Sequence, residues 1–283
     1  MSEGQTLLLG FIAGGTIALG LPVARLRAAG AGLRQFLNAL AVGILLFLIW
    51  DVLSHAYLPL QGALDALHTG DGGFEPIFGY ATLFLGGIAV GLLGLVFYER
   101  WLAGRGRPMA NGPGAMTRGV LGTSRLGVAS WSAPRRLSLL IAVGIGLHNF
   151  GEGLAIGASA AVGAISLATL LVIGFALHNA TEGFGIVAPL ASEEERPSWR
   201  FLALMAVIGG GPTFVGTALG RQFTSPTLNM LFLTLAAGSI LYVVIQLIGV
   251  AQKMGRKELL YLGVLAGLVA GFVTDMVVTA AGG

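Results

Sequence analysis

The 283-residue chain is 55% hydrophobic and only 10% charged, with 46 glycines, no cysteine and a mean hydropathy of +0.85. A soluble domain carries about 25% charged residues, so this is the composition of an integral membrane protein. The lack of cysteine excludes disulfides, thiolate metal sites and cysteine nucleophiles.

A spanning helix needs about 20 apolar residues. Runs of that size predict eight helices, near 5–24, 36–56, 77–98, 137–158, 166–190, 201–220, 227–250 and 259–281. The opening "MSEGQTLLLG" lacks the basic stretch of a signal peptide, so the first run is expected to remain as a helix. Connection 2–3, with Asp65, His68, Asp71 and Glu75, reads as an acidic loop. Connection 3–4, about 99–136, is long and rich in Gly and Arg. Connection 4–5, "SAAVGAIS", is short, which makes helices four and five antiparallel neighbours. Connection 5–6, "ASEEERPSW", reads as a solvated turn with Glu193–Glu195 as its charged rim.

Charge sets the orientation. Of the 16 Lys and Arg residues, all but Arg221 fall in connections 1–2, 3–4, 5–6 and 7–8. Positive residues favour the cytoplasmic side, so both termini are expected outside. The sequence pI near 9.6 is then a consequence of topology and implies no nucleic-acid partner. The whole chain, 1–283, is expected to be one transmembrane domain.

Two of the runs share an unusual feature. "HNFGEG" begins at His148 and "HNATEG" at His178. Ionisable residues inside a membrane helix are expensive and mark functional sites. His148 and Glu152 are four apart and share one helical face, as do His178 and Glu182. Asn149 and Asn179 sit one step round. Two buried carboxylates repel each other and lose their hydration, and a divalent cation offsets both charges. Mixed N/O ligation suits Zn²⁺, and by geometry also Fe²⁺, Mn²⁺, Co²⁺ or Cd²⁺. One His–Glu pair is explained by mutual hydrogen bonding. Two in register on adjacent spans favour a metal.

This twin motif resembles the fourth- and fifth-helix signatures of the ZIP (Zrt-, Irt-like) metal transporters. Eight helices, outward termini, a long 3–4 loop and the helix-seven segment "LAAGSILYVVIQLI" resemble that family too. The resemblance implies an all-α, 3+2+3 arrangement with an inverted repeat, and an elevator-like movement of the metal-carrying helices. It also implies uptake of a divalent metal, commonly zinc, into the cytosol across a cytoplasmic membrane, with a homodimer plausible. Carried over residue by residue, His148, Asn149, Glu152, His178 and Glu182 occupy metal-site positions, with Asn179 beside them. No prosthetic group is implied; Zn²⁺ is substrate.

The chain departs from the family at several places. Many members have Pro before each motif Glu, where this chain has Gly151 and Thr181. Helix six, "GGGPTFVG", puts Gly211 where a ligand Glu is common, with Pro212 retained. Helix seven has Ile245, Gln246 and Val250 where acids are common. One principal metal site is therefore expected. In helix two, Asp51 and His55 are four apart and are candidates for an access or relay site, as is Asp275 in helix eight. Two other classes fit parts of the pattern: a membrane-embedded metalloenzyme, and a proton or organic-cation pathway through the same His–Glu pairs. Spare carboxylates and nucleophile constellations are too few to favour an enzyme.

Overall fold

The computed structural model describes all residues except 1, 27–29, 106–127, 129–130, 162–171, 173–174, 176–178, 194, 223–224 and 281–283. The predicted runs are helical wherever they are described. Helix α1 (Glu3–Gly15) is continued by Ile17–Gly20 and a 3₁₀ turn, Leu21–Arg25. It is followed by α2 (Ala31–Thr69), α3 (Phe74–Arg105) and α4 (Ala133–Ala161). The stretch 179–187 is α5, leading into a 3₁₀ turn, Ala188–Ser192. Then come α6 (Trp199–Gly220), α7 (Pro226–Lys253) and α8 (Lys257–Ala280). Among the described residues, seven helices are long and apolar enough to cross a membrane. Much of the fifth expected span, the 4–5 connection beyond Ala161 and most of the 3–4 connection lie outside those residues.

Local chemistry sets the helix ends. Ser2 and Gln5 form a reciprocal capping box at α1, and Ser198 accepts from Phe201 N–H at the start of α6. Helix α2 runs well past the expected end near residue 56. Pro59 removes only its own N–H from the ladder, and the following "LQGALDALHT" is rich in Leu and Ala, good helix formers. The helix stops at Gly70, whose φ of 84° is a left-handed conformation that glycine adopts freely. Connection 2–3 is therefore only 70–73, and Asp65 and His68 are helical residues rather than loop residues. Likewise α3 reaches Arg105 and α4 begins at Ala133, so connection 3–4 is shorter than 99–136.

The helices pack as two groups. In the first, backbones interlock at glycines. A Cβ at Gly14 would overlap Gly210 O, joining α1 to α6. One at Gly20 would overlap Ala180 O, joining α1 to α5. Gly153 meets Thr213 O and Gly216 meets Phe150 O, joining α4 to α6. In the second group Gly43 meets Val264 O between α2 and α8, and Gly91 meets Leu235 O between α3 and α7. Gln35 Nε2 donates to Ala251 O (3.1 Å) and Arg256 O (2.9 Å), and Asn38 Nδ2 to Leu247 O (3.0 Å), fixing α2 against α7. Gln246 and the Tyr242 hydroxyl both donate to Glu99, so Gln246 is a packing hydrogen bonder between α7 and α3.

Contacts between the groups have another character. A Cβ added at Gly144 of α4 would meet the side chains of Val243 and Leu95, with Ser239 O at 3.4 Å; one added at Gly185 of α5 would lie 3.4 Å from Leu247 Cδ1 and 3.6 Å from Ala41 Cβ. The nearest atoms are side-chain ends, and the one backbone carbonyl is at ordinary van der Waals distance instead of overlapping as the carbonyls within each group do. Some contacts of α1–α3 have counterparts among α6–α8. The pair α1/α5 answers to α6/α4, and α2/α8 to α7/α3.

One end of the bundle gathers the basic residues. Arg25 donates to Pro197 O and stacks over Trp199, 4.8 Å from the ring centroid. Arg135 Nε meets Glu193 Oε2 at 3.0 Å, and Ser132 donates to the other Glu193 oxygen. The expectation that Glu193 belongs to a solvated rim is therefore corrected, because its side chain is only 11% exposed. It clasps the start of α4 to the 5–6 connection. Glu195 is exposed as expected, and Arg221 lies at the opposite end, near Thr6.

Candidate metal centre

The first motif folds as its spacing predicts. Helix α4 is continuous through Gly151, and His148 Nε2 lies 3.0 Å from Glu152 Oε1 one turn later. Glu182 of α5 comes to the same imidazole, its Oε1 4.0 Å from His148 Nε2. All three are 5% exposed or less. Two helices thus bring an imidazole and two carboxylates into one apolar interior, where unpaired charge is costly. The fourth expected ligand, His178, lies outside the described residues. Among the described residues no three His, Asp or Glu side chains are already placed around a metal position.

The asparagines flank this cluster symmetrically. Asn149 Nδ2 donates to Gly209 O of α6 at 2.9 Å, and Asn179 Nδ2 to Ala13 O of α1 at 3.0 Å. A carbonyl accepts only from the amide nitrogen, so these bonds fix which way each side chain faces. Both are fully buried, and neither Oδ1 has a hydrogen-bond partner among the described residues. Each asparagine therefore ties a motif helix to its outer neighbour and keeps one neutral oxygen uncommitted, a donor that suits a hard or borderline cation. Pairing to distant backbone carbonyls leaves no trace in local spacing, so sequence reasoning missed it.

The region matching the family described as ZIP Zinc transporter spans residues 123–275, more than half of the chain. The chain belongs to the ZIP zinc transporter family. It is also 40% identical over 137 residues to the zinc transporter ZupT of Nitratidesulfovibrio vulgaris. That match takes in 47% of this chain and 49% of the relative, so it spans about half the length of the curated protein.

Other expected positions of this ZIP family member fall elsewhere. His55 Nδ1 turns back onto its own helix, 2.9 Å from Asp51 O and 3.4 Å from Asp51 Oδ1, and the His55 side chain is 64% exposed. Asp275 is partly buried on α8, one turn after Gly271, which packs on the Phe47 ring. All three belong to the second helix group, whereas His148, Glu152 and Glu182 belong to the first. Among the described residues, a Cβ added at Gly211 would meet only Val207 Cγ1, at 3.8 Å on the same helix. The position has room for a side chain, but glycine supplies no ligand there.

Proposed function

We propose that this protein carries a divalent transition metal, zinc foremost, across the membrane into the cytosol, with His148, Glu152, His178 and Glu182 as its ligands. The observation that carries the reading is the meeting of His148 with Glu152 and Glu182 from two helices in a buried interior. A dication offsets two carboxylates there and accepts imidazole nitrogen and carboxylate oxygen equally well. Asn149 and Asn179 stand beside these ligands and contribute neutral oxygen or hold the carboxylates in place. The positive-inside rule supports reading the basic end of the bundle as the cytosolic end, with both termini outside. Membership of a family of zinc transporters supports transport rather than enzymatic turnover.

Two features favour an elevator-like movement. The motif helices meet α1 and α6 at overlapping backbone positions, while their nearest contacts with α2 and α7 at Gly144 and Gly185 are looser and mainly to side-chain ends. The correspondence of α1/α5 with α6/α4 and of α2/α8 with α7/α3 supports an inverted 3+2+3 arrangement.

Uptake of ⁶⁵Zn²⁺ into proteoliposomes tests the reading directly. The native chain is expected to accumulate the ion and a His148→Ala/Glu182→Ala double variant to lose uptake while remaining folded. Equal uptake by both proteins would remove the site from the transport path.

A further inference from the structure

His148 and Gly144 lie one turn apart on the same face of α4, with Gly144 toward the basic end. Glu182 and Gly185 are similarly disposed on α5. Directly on that side of the buried cluster, the seam between the helix groups closes over these two glycines. Gly144 is held close to α7: an added Cβ would lie 2.7 Å from Val243 Cγ2. At this point a side-chain hydrogen bond crosses the seam. Ser239 Oγ of α7 is 3.1 Å from Gly144 O and 2.7 Å from Ala236 O, one turn back on its own helix.

A hydroxyl carries one proton and can give it to either acceptor. Ser239 is fully buried, yet releasing Gly144 does not orphan it, because the Ala236 carbonyl is already within reach. Asn149 and Asn179 differ in this respect. Breaking either of their bonds to α6 and α1 would strand buried amide protons at full desolvation cost. We propose that Ser239 and Gly144 form a releasable latch on the cytosolic side of the metal cluster, holding the two helix groups in register until they part, while the asparagine bonds stay closed throughout. Ser239 is a positioning residue: it sets how often the seam opens and does not touch the ion. This inference rests on the two-group movement proposed above.

The chain has no cysteine, so single thiols report cleanly. Ala41 is buried in the seam opposite Gly185, whereas Thr213 is buried inside the first group between α1, α4 and α6. In full-length protein in proteoliposomes, labelling of an Ala41→Cys variant by a small methanethiosulfonate reagent should proceed through seam opening. Adding Ser239→Ala is expected to speed that labelling about three- to tenfold, the span of one buried hydrogen bond, and to leave labelling of Thr213→Cys unchanged. Equal rates at A41C with and without S239A would overturn the latch and leave the movement standing. Parallel acceleration at T213C would mean general loosening of the fold and would also overturn it. Complete protection of A41C during active zinc uptake would instead sink the two-group movement itself, and the latch with it.

Discussion

Asn179 donates to the Ala13 carbonyl at 3.0 Å, three residues before Glu182, and so fastens a metal-motif helix to α1 rather than to its motif partner. Asn149 does the same toward Gly209 on α6. The asparagines of the twin motif thus serve the frame around the cluster, whatever they contribute to the ion.

Changing Asn179 to Asp keeps the side-chain oxygen but puts a second oxygen where the N–H donor to Ala13 O was. A buried carbonyl then faces a carboxylate. We expect Asn179→Asp to lower stability by about 1–3 kcal/mol, read as a fall in the thermal midpoint of the metal-free protein in detergent. An unchanged midpoint would show that the Ala13 bond contributes nothing.

The glycines separate into two kinds. At Gly153 and Gly216 an added Cβ would collide with a backbone carbonyl of the neighbouring helix, whereas at Gly86 and Gly94 nothing among the described residues lies within 4 Å. Alanine at either of the first two should cost about 1–3 kcal/mol through forced separation of α4 from α6. Alanine at either of the second two should be neutral or stabilise by up to about 1 kcal/mol through helix propensity. Denaturation series on the four single variants distinguish them, and equal losses at all four would contradict the packing described.

Ala41 and Gly185 offer a direct test of sliding. The 3.6 Å between Ala41 Cβ and an added Cβ at Gly185 falls within the roughly 3.5–4.5 Å typical of disulfides. An Ala41→Cys/Gly185→Cys variant should oxidise readily, lose zinc uptake when oxidised and regain it on reduction. Undiminished uptake by the fully cross-linked protein would argue that α5 does not move against α2.

Metal stoichiometry follows from what α6 lacks. With Gly211 carrying no ligand and no acid on α7, calorimetric titration with Zn²⁺ should saturate at one tight equivalent per chain. Saturation at two would require ligands beyond the twin motif.

Much of this was legible in the sequence for physical reasons. A bilayer forces long apolar runs, so the helices stand out. The cost of burying charge makes His148, Glu152, His178 and Glu182 conspicuous in those runs. Other features depend on distance in space and leave no local mark. Ser239, Gln35 and Asn38 look like ordinary polar residues until their acceptors on other helices are known. Glu193 reads as one of three solvated acids until Arg135 and Ser132 close on it. The apolar run puts the end of helix two near residue 56, but the good helix formers after Pro59 carry α2 onward to Gly70.

That last feature has a practical side. Thirty-nine residues of α2 amount to about 58 Å of helix, nearly twice the roughly 30 Å hydrocarbon core of a bilayer. Together with the start of α3, the last turns of α2 make a helical mast at the end opposite the basic residues. An antibody fragment seated on the mast tip, Gly70–Gly73, would give this 29.0 kDa protein a rigid fiducial for particle imaging. The same fragment, applied to intact and then to permeabilised cells, would report which side of the membrane the mast faces.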